Sequence, residues 1–384
     1  MLGDKYINPD KENFFSPPPI LRGYMYGAEE AYEARDSEQL LAIRLETNTS
    51  CNLRCRYCYA QSGGDSIKIA DFDVLKRVIS EAKELGIRSV VVIGGGEPTL
   101  YPNFRELIAY IDSLGIIPMM FSNTVLMTRD LAEFLYEHNV SVMGKLDSLK
   151  PEVQDYLAGR EGAAADIRRG LSNLMNAGFT EPVGPGKLRL GISFVSNRLN
   201  LEEIEDIWHF CRRNNIFPNM EILTPTGRAN DELADKMLSA EEIQAYKMKL
   251  LDIDRKYYGY DWLPYTPITA SGCLQHLYSL YITIDGNVRP CAPTKLDEHP
   301  ALKVNGEYPC NVNKTSLREI FDSELFSYVR NIDKVLEGRC EDCKHLNECI
   351  GCRGYAYSVG VNKGMEPLEA LRMECQQCFK ESLE

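Results

Sequence analysis

No apolar run in this 384-residue sequence reaches the ~18 residues that a membrane-spanning helix needs. Residues 1–20 also lack a charged segment followed by an apolar core, so no secretory signal is expected. Positive charge is in deficit. The 43 Lys and Arg stand against 56 Asp and Glu, a formal balance of −13. That argues against binding nucleic acid by neutralising phosphates. It fits a cytoplasmic protein acting on small molecules or peptides, with neither nucleic acid nor membrane as partner. Histidine is scarce, at five, which leaves few candidates for His-ligated metal sites. Cysteine is missing from residues 59–210, although the chain has thirteen. A secreted disulfide scaffold would be short and cysteine-dense throughout, so disulfides are a poor reading. Cysteines grouped at 51–58 and 273–378 point instead to metal binding.

What remains is ordinary globular material, 44% apolar and 26% charged, enough for one large domain and a smaller one. Residues 1–40 are polar, contain Pro17-Pro18-Pro19, and read as an N-terminal extension. Over 41–230, strand-like runs at 41–46, 88–93, 116–121, 140–146, 188–195 and 217–223 alternate with helical periodicity. The helical segments are 71–85, 103–114, 129–138, 151–177 and 201–214. Val74, Leu75, Val78, Ile79, Ala82 and Leu85 mark one helix face, and Gly86 ends it. Such alternation implies an α/β fold, with a parallel sheet and helices outside it. Right-handed crossovers curl the sheet toward a partial (β/α)6 TIM-type barrel. Chemistry in such folds sits at the C-terminal ends of the strands. Residues 231–270 read as a linker whose helix lies at 239–258. Residues 271–384 form a loop-rich, cysteine-rich C-terminal domain. There Asp285-Gly286-Asn287 signals a β-hairpin between Tyr281–Ile284 and Val288. Metal ligation would hold this domain, since binding free energy becomes folding free energy.

Cys51, Cys55 and Cys58 follow the first strand directly. Three thiolates are one short of the four that close a 4Fe–4S cluster or a structural zinc site. The centre therefore keeps an open position, unless a distant His or Asp completes a zinc site. The spacing CxxxCxxC, with Tyr57 before the last cysteine, resembles the signature of the radical SAM superfamily. Gly94-Gly95-Gly96-Glu97-Pro98-Thr99 closes the second strand and resembles that family's GGE motif. Glycines at a strand end let backbone approach a ligand closely. A phosphate loop is a poor reading, because Glu97 would repel phosphate and no Lys-Ser/Thr follows. The resemblance implies that Gly95, Gly96 and Glu97 hold the methionine end of S-adenosylmethionine. It extends more loosely to Ser122 and Asn123, to Lys145 and Asp147, and to Ser193 and Asn197, at successive strand ends. Lys145 departs from the serine many relatives carry, which leaves the ribose contact open.

In the second group, Cys273 is followed by Gly286 and Cys291, then by Cys340-x2-Cys343-x5-Cys349-x2-Cys352, Cys375 and Cys378. Read alone, paired CxxC is equally a zinc ribbon. In this order it resembles the SPASM extension of radical SAM enzymes, as Thr226-Gly227-Arg228-Ala229 resembles the linker into it. The resemblance implies two auxiliary 4Fe–4S clusters. Cys340, Cys343, Cys349 and Cys375 would hold one, and Cys273, Cys291 and Cys352 the other. The fourth ligand of the second set is open: Pro267 stands where relatives often have cysteine, so Cys310, Cys378 or an open iron remain. Cys211, near Ile207 and Trp208, reads as a buried free thiol.

The implied activity is reductive cleavage of S-adenosylmethionine to a 5′-deoxyadenosyl radical, which abstracts hydrogen from substrate. A low-potential electron donor of flavodoxin or ferredoxin type would feed it. The favoured substrate is a peptide or protein side chain, oxidised or cross-linked by a maturase-type oxidoreductase. The alternatives are a small molecule (sugar, cyclitol or tetrapyrrole) and, outside catalysis, an iron–sulfur scaffold or electron carrier. The forty residues before the first strand are few for the leader-peptide domain that peptide-modifying relatives often carry. No general base is identified; Asp285 and Asp297 flank Cys291 without adjoining it.

Overall fold

A computed structural model describes residues 15–264, 273–347 and 349–376. Six strands alternate with helices as expected. They are β1 (Ala42–Leu45), β2 (Ser89–Val92), β3 (Ile117–Ser122), β4 (Ser141–Lys145), β5 (Leu190–Ser196) and β6 (Phe217–Ile222). Each pairs in parallel with the next. β2 and β5 are buried along their whole length, which explains why they read as unbroken apolar runs rather than alternating ones.

The helices are α1 (Ala28–Asp36), α2 (Phe72–Glu84), α3 (Phe104–Ser113), α4 (Arg129–Glu137), α5 (Pro151–Ala158), α6 (Ala163–Asn176) and α7 (Ile204–Arg213). Local chemistry sets their ends. The Asp71 side chain accepts from the Asp73 and Val74 N–H groups and starts α2. The single helical segment expected over 151–177 is two helices. Gly159 closes α5 in the left-handed conformation, at φ +67°, before Gly162 opens α6.

Two further strands, β7 (Ser279–Ile282) and β8 (Val288–Arg289), form the expected hairpin, with Val288 opposite Ile282. β7 also lies parallel to β1, pairing Ala42 with Ser279 and Leu45 with Ile282. One sheet therefore runs β8-β7-β1-β2-β3-β4-β5-β6, an open, partial barrel wall. The expected boundary at 270/271 falls between β6 and β7, and the sheet continues across it. The described part of the N-terminal extension packs on the wall. Ile20–Leu21 pairs with Lys187–Leu188, and Tyr24, Met25, Ala31 and Ala34 are buried. Among the described residues no helix is long and apolar enough to cross a membrane.

After β6 come α8 (Arg228–Glu232) and α9 (Ala240–Ile253). The end of α9 is fixed by one buried carboxylate. Asp254 accepts from Trp208 Nε1 at 2.8 Å, Trp262 Nε1 at 2.9 Å, and Arg212 Nε and Nη2 at 3.0 and 2.6 Å. Removing that carboxylate strands the buried Arg212 guanidinium. Asp254→Ala is expected to cost roughly 3–5 kcal/mol. A urea midpoint equal to that of the parent protein would contradict this.

Candidate cluster and substrate site

The three cysteines of the first group sit on a loop that leaves the C-terminal end of β1, and other strand ends hold that loop. The Glu97 N–H donates to Ser50 O at 2.8 Å. Arg54 and Arg56 N–H donate to Ala158 O and Leu157 O, at 3.1 and 3.0 Å, at the C-terminal end of α5. Arg228, buried at the start of α8, donates through its backbone N–H to Cys58 O at 3.1 Å. Its Nε donates to Cys55 O at 2.8 Å and its Nη1 to Ser62 O at 3.0 Å. Two glycines allow this closeness. A Cβ on Gly96 would lie 2.0 Å from Ser50 O, and one on Gly227 would lie 2.5 Å from Cys58 O.

Cys51, Cys55 and Cys58 together line a cavity of about 320 Å³. Burial pushes the Cys51 thiol up to about 11. Burial, with Cys58 next, pushes Cys55 up to about 12. Such thiols ionise when a cation takes up their charge. No histidine and no aspartate is among the described residues lining this cavity, and the two glutamates that do line it, Glu97 and Glu221, accept hydrogen bonds from neighbouring side chains. Three sulfur donors around an open space fit a 4Fe–4S cluster with one iron left for a ligand.

The neighbouring strand ends supply the rest of the wall. The Glu97 carboxylate, 3% exposed, accepts from Ser122 Oγ at 2.8 Å and Thr99 Oγ1 at 2.9 Å. It also takes the Asn123 N–H at 2.8 Å. Burial raises its carboxyl, and these donors oppose the rise. Its side chain thus locks β2 to β3. Asn123 Nδ2 donates to Asn52 Oδ1 in the cysteine loop at 2.7 Å. Gly94, Gly96 and Glu97 line the cavity, whereas Gly95 lines an outer cleft with Thr49 and Tyr59. Tyr57 donates from its hydroxyl to Asp147 Oδ2 at 2.5 Å. Lys145 Nζ lies 3.4 Å from Asp147 Oδ1 and 4.8 Å from the Tyr57 ring centroid. Burial works against the lysine's charge, but Asp147 and Glu221 outweigh it and raise its pKa. Tyr57, Ser122, Asn123, Lys145 and Ser193 all line the cavity. Asp147 supports it from behind, fully buried. Asn197 does not line it. Its amide is spent on a turn, donating to Val195 O at 2.8 Å and accepting from the Leu199 N–H at 3.0 Å.

A second cavity, of about 200 Å³, is lined by Cys273, Cys291 and Cys352. Tyr24, Arg44, Glu221, Ile222, Thr224, Ala292 and Pro293 line both cavities and so form the wall they share. The second cavity is ringed by donors without acceptors among the described residues: Arg44 Nε and Nη2, His276 Nε2, and Arg353 Nε and Nη2. Orphaned donors beside three thiols fit the sulfides and thiolates of a cluster. Cys310 does not reach this cavity. It packs with Tyr308 in the core, and its Sγ lies 4.0 Å from Ser323 Oγ, so it cannot be the fourth ligand here. Cys378 and Pro267 lie outside the described residues. Cys349 and Cys375 meet around Gly351, whose N–H lies 3.4 Å from Cys349 Sγ and whose Cα faces the Cys375 side chain. Cys340 and Cys343 form the turn before them, the Cys343 N–H donating to Cys340 O at 3.3 Å. Lys247 of α9 is fully buried near this group. Burial lowers it to about 8, against the raising charges of Cys349, Cys375 and Cys352. Cys211 is fully buried on α7.

Asp297 and Asp285 are both committed elsewhere. Asp297 pairs with Arg289 at 2.5 Å, and Asp285 with Lys68 at 2.7 Å. A carboxylate that lines both cavities is that of Glu221, on β6. Its Oε1 accepts from Ser193 Oγ at 2.7 Å and Asn219 Nδ2 at 3.0 Å. The sequence hid it, and Arg44, inside apolar strand runs. A charged residue in such a run was the available signal.

If Arg228 and Gly227 hold the cysteine loop, Gly227→Ala and Arg228→Met should each lose about four of about twelve irons per chain. Iron and sulfide quantification on anaerobically purified protein reads this, and full iron content in both variants would refute it.

The radical SAM superfamily model matches residues 45–211, and the SPASM model, an iron–sulfur cluster-binding domain, matches residues 273–344. An AdoMet-dependent heme synthase of Oleidesulfovibrio alaskensis is 27% identical over 357 residues, covering 85% of this chain and 86% of that protein. The mycofactocin maturase MftC of Mycolicibacterium smegmatis is 27% identical over 346 residues, covering 87% and 82%. The fold is similar to that of Streptococcus suis SuiB bound to S-adenosylmethionine. There the TM-score is 0.65 at 17% identity, covering 89% of this chain and 77% of that one. With three thiols converging at the end of β1 and a second cysteine-lined cavity behind the shared wall, the chain belongs to the radical SAM superfamily, as an enzyme with a C-terminal SPASM domain.

Proposed function

We propose that this enzyme abstracts hydrogen from a side chain of a peptide or protein, in an oxidation or cross-linking reaction of maturase type. The observation that carries this reading is how the cavity opens. Through Thr226 and Pro293 it adjoins a surface cleft of about 380 Å³, and through Tyr59 and Ala60 another of about 510 Å³. The two clefts share Lys295 and Glu298. A continuous outer groove suits an extended chain with one side chain turned inward. The similarity to a mycofactocin maturase supports the same reading.

Cys51, Cys55 and Cys58 would hold the cluster that binds S-adenosylmethionine. Cys273, Cys291 and Cys352, and separately Cys340, Cys343, Cys349 and Cys375, would hold the auxiliary clusters. When bound, the first cluster and S-adenosylmethionine supply a 5′-deoxyadenosyl radical that takes a hydrogen atom from substrate. The chain's residues do the rest. The backbone at Gly96 and the Lys145 ammonium, held beside Asp147, would face an amino acid's polar end. Ser122 and Ser193 spend their hydroxyl hydrogens on Glu97 and Glu221 and so fix those carboxylates, while Asn123 ties the rim to the cysteine loop. Glu221, on the shared wall, is the carboxylate that would take the proton of an oxidised substrate, and Ser193 and Asn219 fix its orientation. The wall residues Tyr24, Ile222 and Pro293 keep water from that space.

A second reading, modification of a small molecule such as a tetrapyrrole, is favoured by the heme synthase relatives. The two separate on substrate dependence. Loaded enzyme with dithionite and S-adenosylmethionine should release 5′-deoxyadenosine faster with unstructured peptides rich in Tyr, Ser and Cys, and those peptides should lose two hydrogens by mass. Stimulation by a propionate-bearing tetrapyrrole or a cyclitol, with none by peptides, would overturn the proposal. For the proton acceptor, Glu221→Gln should leave 5′-deoxyadenosine release intact while product falls by ~10²-fold or more. Parallel loss of both would show that Glu221 serves the cavity's structure instead.

A further inference from the structure

We propose that Arg44 sets the reduction potential of the cluster held by Cys273, Cys291 and Cys352, by placing a permanent positive charge with N–H donors against its face. The proposal rests on the auxiliary-cluster reading given above. Arg44 is an inward side chain of β1, 5% exposed. Its Nε and Nη2 are shielded from water and have no acceptor among the described residues. No described acid forms an ion pair with it, and its recorded neighbour is the ring face of Tyr24, centroid 5.5 Å away. Glu221 shares both cavities with it, but its Oε1 is taken by Ser193 and Asn219.

A buried guanidinium is costly unless an anion stands against it, and among the described residues none forms an ion pair with Arg44. The missing partner must be anionic and must lie where Arg44 faces. Arg44 lines the cavity of Cys273, Cys291 and Cys352. A thiolate-ligated iron–sulfur cluster carries net negative charge, and its sulfides accept hydrogen bonds. One-electron reduction adds a further negative charge beside the guanidinium. A fixed cation there stabilises the reduced form more than the oxidised one and moves the potential upward.

The other orphaned donors around the cavity differ in kind. Arg353 also supports the fold, its Nη1 donating to Leu371 O at 2.9 Å and Met373 O at 2.8 Å. His276 brings no charge at neutral pH, since burial lowers it to about 3. Arg44 brings a charge without a structural hydrogen bond, which makes it the residue to test.

The test is an anaerobic redox titration with dithionite, followed by electron paramagnetic resonance, on full-length loaded enzyme. Wild type is compared with Arg44→Lys, Arg44→Gln and Arg44→Met. Wild type with about twelve irons secures the underlying reading, and markedly fewer would defeat that reading together with the proposal. At unchanged iron content, Arg44→Gln and Arg44→Met should move one midpoint potential negative. The expected size is at least a tenfold change in the reduction equilibrium, about 59 mV for one electron, with a smaller shift in Arg44→Lys. Unchanged potentials at full iron content overturn the proposal. That includes the case in which only substrate turnover falls, as it would if Arg44 bound a substrate carboxylate. Loss of about four irons in all three variants also overturns it, because Arg44 would then serve assembly rather than potential.

Discussion

Three thiols must be brought to one point without a disulfide, and the loop that carries them cannot do this alone. Its backbone carbonyls at Ser50, Cys55, Cys58 and Ser62 are held by donors from β2's end and from α8. Arg228 takes two of them with its side chain and a third with its N–H. A guanidinium suits this task because its donors are rigidly spaced and always charged. The cysteine loop is therefore a product of the closed rim rather than a local motif. Burial raises the Cys51 and Cys55 thiols, so a metal centre has to take up their charge, which couples cluster assembly to the folded barrel.

The same logic joins the two halves of the molecule. β7 comes from the C-terminal half, yet its parallel pairing with β1 places Cys273 beside the inward face of the first strand. Arg44 and Glu221, on β1 and β6, then form a partition with one cysteine-lined space on each side. A thin, polar partition with both charges present suits a reaction in which a proton and an electron leave one substrate by different routes.

Much of this was legible in the sequence, for physical reasons. Strands and helices declared themselves through apolar runs and periodicity, because burial on both faces or on one leaves that trace. The spacing of Cys51, Cys55 and Cys58 spoke because ligands of one centre must lie close along the chain. What spacing cannot reveal is the direction a side chain takes. Asn197 sits at a strand end like Ser193, but its amide turns back to its own loop. Cys310 falls between cluster cysteines in sequence, but packs into the core with Tyr308. Gly159 divides one periodic segment into two helices, because the period continues across a left-handed residue that the helix cannot. Arg44 and Glu221 were not singled out, and Arg228 only as part of a linker motif, because their meaning depends on partners far along the chain.

The register of β1 between β2 and β7 has a consequence for how the protein is made. β1 is the first strand of the sheet to leave the ribosome, and its neighbour β7 the seventh. At about 5–20 residues per second, β1 waits roughly 10–50 s for that neighbour. Through that interval β1, the strand that leads into the cysteine loop, presents an unpaired sheet edge even after Glu97, α5 and Arg228 have been made and can hold the loop itself.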